Sequence, residues 1–339
     1  LSEALVYNIS GGSSGLLTYE GIPWAWGSGL SGALGNNDLT SYSTPVAVCG
    51  GHTFCEISYG NASGLGITSQ GVGWSWGMNT YGQLGNNSTT VQCTPAAIFG
   101  TKTFCYISAG VFTHHAIDNH GAAWGWGMGG AGRLGDNALA NQCTPVAVCG
   151  NHTFCRVNGA YFGCCAIDND GMAWSWGPGN YGVLGNNAIT SQLTPVAVCG
   201  GHTFCEVDVG DYGCCGIDNH GIAWCWGRNN AGQVGDNTTT SRLTPVAVCG
   251  GHTFCQITVS SQAECCGIDN HGIAWCWGGN ANGELGDNTT TSRLTPVAVC
   301  GNHTFCQIAA MTLAFLAVDS NDTVWAWGAA LSGRLGDNT

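Results

Sequence analysis

Charged side chains are scarce in this sequence. Only 8% of its 339 residues are Asp, Glu, Lys or Arg, against roughly 25% in a typical soluble domain. The shortage is sharpest for cations: Lys102 is the sole lysine, and arginines supply the rest of the seven, leaving a net charge of −13. Binding to phosphate backbones or anionic membranes needs clustered cations, so neither nucleic acid nor an anionic lipid surface is expected as a partner. No apolar run approaches the roughly 18 residues of a membrane span, so no membrane insertion is expected. Residue 1 is Leu, not Met, and no signal segment leads the chain, which reads as processed or incomplete. No nucleophile elbow, metalloprotease helix or paired-carboxylate signature is present, so neither an enzyme nor a bound cofactor is expected. Low charge does not imply disorder here, because disorder goes with few aromatics and this chain has 14 Trp.

Those tryptophans organise the chain. They fall in seven Trp-x-Trp-Gly strings, from Trp24-Ala-Trp26-Gly27 to Trp325-Ala-Trp327-Gly328, spaced by 50 residues with one step of 51. Two Trp at i and i+2 place both indoles on one face of a strand. Seven such faces at a fixed period define one unit repeated seven times. Residues 195–227 show the unit clearly. Pro195 to Cys199 is a β-branched strand, Gly200 to Thr203 a turn, and Phe204 to Asp208 a second strand. A variable connection leads to a third strand at Cys214 to Ile217. Asp218-Asn-His-Gly221 is a hairpin turn before the Trp strand. A connection of 17 residues then follows, Gly227 to Leu243, read as the crossover between sheets.

The expected fold is therefore all-β: a single seven-bladed β-propeller of four-stranded antiparallel blades. Its repeat units are residues 1–27, 45–77, 95–127, 145–177, 195–227, 245–278 and 296–328. An open β-solenoid is the rival. No Pro-Val-Ala-Val strand precedes residue 4, and the sequence stops where the next is due. The first blade is thus expected to lack one strand, supplied beyond residue 339 or by another chain.

The 21 cysteines point to an oxidising compartment. Five Cys-x5-Cys pairs straddle the first turn: Cys49/Cys55, Cys149/Cys155, Cys199/Cys205, Cys249/Cys255 and Cys300/Cys306. They read as disulfide staples, with zinc binding the alternative. If Ile217 faces Ile222 in the hairpin, Cys214 faces Cys225 and Cys265 faces Cys276, giving two more candidates. Cys93, Cys105, Cys143, Cys164, Cys165, Cys215 and Cys266 are left without an assigned partner. Asn-x-Ser/Thr sequons begin at Asn8, Asn61, Asn86, Asn87, Asn151, Asn237, Asn288, Asn302 and Asn321, all candidates for glycosylation. The recurring His52, His152, His202, His252 and His303, and the Asp118, Asp168, Asp218, Asp269 and Asp319 that open the hairpins, read as turn residues. His114-His115 reads as core.

Trp74 to Gly85, Trp-Ser-Trp-Gly-Met-Asn-Thr-Tyr-Gly-Gln-Leu-Gly, resembles the regulator of chromosome condensation repeat family. So do Thr94-Pro95 and Ala166-Ile167-Asp168 with Gly171. The resemblance implies a seven-bladed propeller that acts through loops on one face, as exchange factors, chromatin binders, ubiquitin-ligase modules or secreted inhibitors do. Cys-Cys replaces a His-Ser/Thr pair of many family repeats, and no exchange or inhibitory residue carries over. In an up-down meander the second and fourth connections share a face, and internal variation concentrates in the second. Phe112, Tyr161, Phe162 and Tyr212 are therefore the candidate anchors for a protein partner or for self-association. The expected function is an extracellular or particle-surface structural or binding protein, such as a subunit of a filament, coat or virion. A secreted protein-binding propeller such as an enzyme inhibitor is the alternative, and an exchange-factor-like regulator is a third reading.

Overall fold

Short β-branched and aromatic runs separated by Gly, Asn and Asp clusters favour brief strands joined by tight turns. The computed structural model describes residues 6–10, 15–262, 264–330, 333, 335 and 336. Its strands, in chain order, fall into seven sheets. Blade 1 holds β1 (Val6–Ser10), β2 (Gly15–Thr18), β3 (Pro23–Gly27) and β4 (Tyr42–Ala47). Blade 2 holds β5 (Glu56–Tyr59), β6 (Ser63–Ile67), β7 (Gly73–Gly77) and β8 (Gln92–Ala97). Blade 3 holds β9 (Phe104–Ala109), β10 (Thr113–Asp118), β11 (Ala123–Gly127) and β12 (Gln142–Ala147). Blade 4 holds β13 (Phe154–Gly159), β14 (Cys164–Asp168), β15 (Ala173–Gly177) and β16 (Gln192–Ala197). Blade 5 holds β17 (Phe204–Val209), β18 (Gly213–Asp218), β19 (Ala223–Gly227) and β20 (Arg242–Ala247). Blade 6 holds β21 (Phe254–Val259), β22 (Glu264–Asp269), β23 (Ala274–Gly278) and β24 (Arg293–Ala298). Blade 7 has three described strands, β25 (Phe305–Met311), β26 (Ala314–Asp319) and β27 (Val324–Gly328).

The innermost strands touch in sequence around the ring, and β25 touches β1, so the ring is closed. Ile9, Leu16 and Trp26 of blade 1 pack with Met311, Leu316 and Val318 of blade 7. The second Trp of the pairs in blades 1 to 6 is almost fully buried. Trp226 shows how it works. Its ring lies in the interface with blade 4 among Val183, Leu184 and Cys165, and its Nε1–H donates to the Val183 carbonyl at 2.8 Å. Gly185 approaches the same indole with φ of 63°, and a Cβ there would meet Nε1 at 2.8 Å. Only glycine accepts both that dihedral and that approach. The first Trp of each pair sits at the rim. Trp224 stacks with His202 at 3.8 Å and donates its Nε1–H to Asp218 Oδ2 at 2.9 Å. Asp218 Oδ1 accepts from the His220 and Ile222 amides, so the recurring His and Asp serve the turns as expected.

Two expectations need correction. The 17-residue connection does not cross between sheets. It joins the third and fourth strands of one blade, where Trp224 pairs with Ala247 and Gly227 with Arg242. Blade 5 shows why the loop can fold back. Buried Asn229 donates to Asp236 Oδ1 and to the Thr238 and Thr240 carbonyls, while its Oδ1 accepts from the Val234 amide. Asn79 and Asn280 do the same in blades 2 and 6. The short His-bearing turn is the inter-blade step, so the sequence repeats straddle blades. Blade 1 consequently has all four strands, and the sheet with three described strands is blade 7.

The cysteine pairing also differs. The hairpin register is one residue off the expected one: Ile217 faces Ala223, because Asp218 holds Ile222 inside the turn. Cys215, not Cys214, is therefore opposite Cys225, and Cys266, not Cys265, is opposite Cys276. Disulfides join Cys215 to Cys225 and Cys266 to Cys276. Cys214 and Cys265 are buried free thiols. The five staples are not formed: Cys49, Cys55, Cys149, Cys155, Cys199, Cys205, Cys249, Cys255, Cys300 and Cys306 are free. In each pair the second thiol turns to its own blade, as where Cys205 Sγ contacts the Ile217 carbonyl at 3.3 Å. Cys93, Cys105, Cys143, Cys164 and Cys165 are free as well.

Candidate functional site

Because strands alternate in direction, each blade sends its first-to-second and third-to-fourth loops to the same face. The other two turns meet on the opposite rim, where the Asn219 amide donates to the Thr203 carbonyl at 3.0 Å. On the loop face the four sequence-nominated aromatics come together. Phe112 lies 5.5 Å from Tyr161, Tyr161 4.4 Å from Phe162, and Phe162 5.1 Å from Tyr212, centroid to centroid. The row extends further than the sequence suggested. Tyr81 contacts Phe112 at 5.2 Å, and Tyr181 contacts Tyr212 at 5.8 Å. Both added tyrosines sit in the long third-to-fourth loops. Tyr181 is 48% exposed and the other five rings are partly exposed.

Two of the seven cations of the chain brace this ladder. The Arg133 guanidinium lies 5.3 Å from the Tyr161 ring and is fixed by Nε–H donation to the Tyr161 carbonyl at 2.8 Å. Arg228 lies over Tyr212 at 4.9 Å and Tyr181 at 5.5 Å. Cation–π contacts of this kind are worth about 0.5–2 kcal/mol each and hold the rings in place. His115 supports the ladder from below: its Nε2 is 3.2 Å from the Arg133 carbonyl, and burial lowers its pKa to about 4. His114, whose Nε2 is 2.9 Å from Ser63 Oγ, is lowered by burial to about 3. Both are neutral core residues at ordinary pH.

The loop face surrounds the mouth of a central channel of about 350 Å³, lined by the innermost strands. Its carboxyls are put to structural use. Asp208 Oδ2 accepts from the Val259 amide at 2.8 Å and from Thr258 Oγ1 at 3.0 Å, tying blade 5 to blade 6. Ser58 and Ser108 accept the Ala109 and Gly159 amides in the same way. At the mouth, Asp211 Oδ1 accepts from the Tyr161 amide at 3.1 Å. Burial pushes Glu56 and Glu206 up to about 7 and Asp208 and Asp211 up to about 6, against the amide bonds they accept. Arg156 is the sole lysine or arginine among the described lining residues and draws Glu56 and Glu206 back towards the charged form.

Among the described residues no group of three or more His, Cys, Asp or Glu could hold a metal ion. Nor is any helix of these residues long and apolar enough to cross a membrane. The sequon residues Asn61, Asn87, Asn151, Asn237, Asn288, Asn302 and Asn321 are exposed and Asn86 is half-buried, while the side chain of Asn8 lies outside the described residues.

Fold and site together define a seven-bladed β-propeller with one aromatic loop face. Three stretches, residues 70–114, 170–217 and 220–266, match the model of the regulator of chromosome condensation (RCC1) repeat. Solved structures of the same fold include human WBSCR16, 17% identical over 91% of this chain and 85% of that one, with a TM-score of 0.83. Prp20p of Saccharomyces cerevisiae, described with its binding to Gsp1p and histones, is 18% identical over 95% and 84%, with a TM-score of 0.82. The ectodomain of the Physcomitrella patens receptor kinase CR4 is 17% identical over 96% and 74%, with a TM-score of 0.62. At such identities the likeness concerns the fold. No curated protein matches the chain in sequence.

Proposed function

We propose that this chain is a non-enzymatic protein-binding scaffold whose docking surface is the aromatic ladder. The observation that carries this reading is the gathering of six rings and two arginines from the loops of four successive blades, while equivalent loops elsewhere hold Asn61, Ser261 or Thr312. Tyr and Arg are the residues that most often anchor interfaces, and a partly exposed aromatic row is an uncommon surface for a chain with no partner. The arginines suit a partner loop that presents a carboxylate beside an apolar side chain. Protein binding is also what is described for Prp20p. The test places a photoreactive phenylalanine derivative at Tyr181 and, as control, at His220 on the opposite rim. Adducts with a defined protein from Tyr181, lost in Tyr161→Ala/Tyr212→Ala, support the proposal. Adducts from His220 alone, or indifference to the double variant, reject it.

A second reading concerns habitat. The two cross-strand disulfides suit a protein that works outside a reducing compartment, and one structural neighbour is an ectodomain. Thiol counting on protein alkylated at the moment of extraction tests it, since fully reduced cysteines would reject it.

A further inference from the structure

Cys-Cys occupies the second strand in blades 4, 5 and 6, as Cys164-Cys165, Cys214-Cys215 and Cys265-Cys266. Neighbouring residues of a strand point to opposite faces of a sheet. The first cysteine of each pair therefore faces the preceding blade and the second faces the following one. The packing agrees: Cys165 and Cys214 share the interface of blades 4 and 5, and Cys215 and Cys265 that of blades 5 and 6. Cys215 Sγ is already bonded to Cys225 across the β18–β19 ladder, and Cys265 Sγ approaches it from blade 6 at 3.7 Å. One interface earlier the residue opposite Cys165 is Ser175, so no disulfide within the blade competes there.

We infer that Cys265 is an exchange partner for the Cys215–Cys225 disulfide, which moves between a linkage within blade 5 and a linkage between blades 5 and 6. In the step, Cys265 loses its proton and its thiolate attacks Cys215 Sγ. The Cys215–Cys225 bond breaks as the Cys215–Cys265 bond forms, and Cys225 leaves as a thiolate that takes up a proton. One S–S bond replaces another, so no oxidant or reductant is consumed. The consequence is mechanical: a link across two strands of one sheet becomes a staple across a blade interface of the ring. A cavity of about 10 Å³, room for about one water, adjoins both sulfurs and is lined in part by Tyr212, which belongs to the ladder. Burial opposes ionisation of Cys265, as do the negative charges of Glu264 on its own strand and Asp208 on β17, and the Gln233 carbonyl accepts its S–H at 3.3 Å. Exchange is therefore slow at neutral pH and accelerates as pH rises.

Tryptic mapping of the full chain reads this directly. Cleavage at Arg156, Arg228, Arg242 and Arg293 puts Cys215 and Cys225 together in peptide 157–228 and puts Cys265 in peptide 243–293. The disulfide within blade 5, the one within blade 6 and any Cys-x5-Cys staple all leave these two peptides separate. Only a link between them reports exchange. The folded protein is incubated at pH 7, 8 and 9, alkylated in denaturant with N-ethylmaleimide, and digested without reduction. Linked peptides should form, with an initial rate about 100-fold higher at pH 9 than at pH 7, because the thiolate fraction rises tenfold per pH unit. Cys265→Ser should abolish the link. Cys225→Ser, treated with glutathione disulfide, should form only the linked species. A wild-type protein whose two peptides never link at pH 9, or a link that survives Cys265→Ser, overturns the inference.

Discussion

Replacing Glu206 by Gln should stabilise the propeller at neutral pH and leave it unchanged in acid. Burial in the channel raises the Glu206 carboxyl from 4.5 to about 7, outweighing the pull of Arg156 and of the Ile257 amide whose hydrogen bond it accepts. A raised carboxyl pKa means that the folded state holds the proton longer than the unfolded chain does. Below pH 4.5 both states are protonated and the site is neutral in effect. Between pH 4.5 and 7 the unfolded chain ionises first, so stability falls as pH rises, and the loss levels off above 7. At about 1.4 kcal/mol per unit, the full loss is on the order of 3 kcal/mol. Gln keeps the amide-accepting oxygen and has no proton to lose. The fold already shows that Gln fits, since Gln256 occupies the equivalent place in blade 6 and accepts the Ile308 amide at 3.0 Å. Urea unfolding followed by tryptophan fluorescence at pH 4, 5, 6, 7 and 8 measures the effect. Glu206→Gln should match wild type at pH 4 and gain about 2–3 kcal/mol at pH 8, less whatever attraction to Arg156 is lost. A variant that follows the wild-type pH slope, or that is weaker at pH 8, would refute the assignment of burial as the dominant cause.

Other outcomes follow from the same packing. Gly185→Ala should cost at least about 2 kcal/mol, from a left-handed dihedral forced on a residue with a Cβ and from the clash with the Trp226 indole, read as a lower urea midpoint. Asn229→Ala should remove the bonds that fold the long loop back and leave the Val234 amide unpaired, costing about 2–3 kcal/mol. Hydrogen exchange should then rise first in the loop between β19 and β20. Asp218, Asp269 and Asp319 are held below the ordinary carboxylate range: burial raises each, but the rim indole N–H and two turn amides together lower it further. Their contribution is present above about pH 4 and is lost as pH falls below it, so acid should loosen the hairpin rim first.

The architecture was legible because it repeats. Fourteen indoles at a fixed period define seven equivalent sheets, and the alternation of strands places Phe112, Tyr161, Phe162 and Tyr212 on one face without coordinates. What could not be read was where one blade ends. Pro195 to Cys199 looks like the hairpin partner of the strand that follows it. Only the buried Asn of the long loop, at 79, 229 and 280, reveals that the apolar strand belongs to the blade before. The disulfide register failed for a similar local reason, since Asp218 draws Ile222 into the turn and shifts every later pairing by one. Tyr81, Tyr181, Arg133 and Arg228 are hidden because their long loops read in sequence as connectors between sheets. Tyr at 81 and 181, where the other copies carry small residues such as Ala131 and Ala231, was the available signal.

Closure of the ring is what gathers loops of successive blades into one surface. Small-angle X-ray scattering of the 339-residue chain tests it. A closed disc predicts a radius of gyration of about 20 Å and a pair-distance distribution with one maximum. An extended particle with a substantially larger radius and a long-distance tail would contradict it.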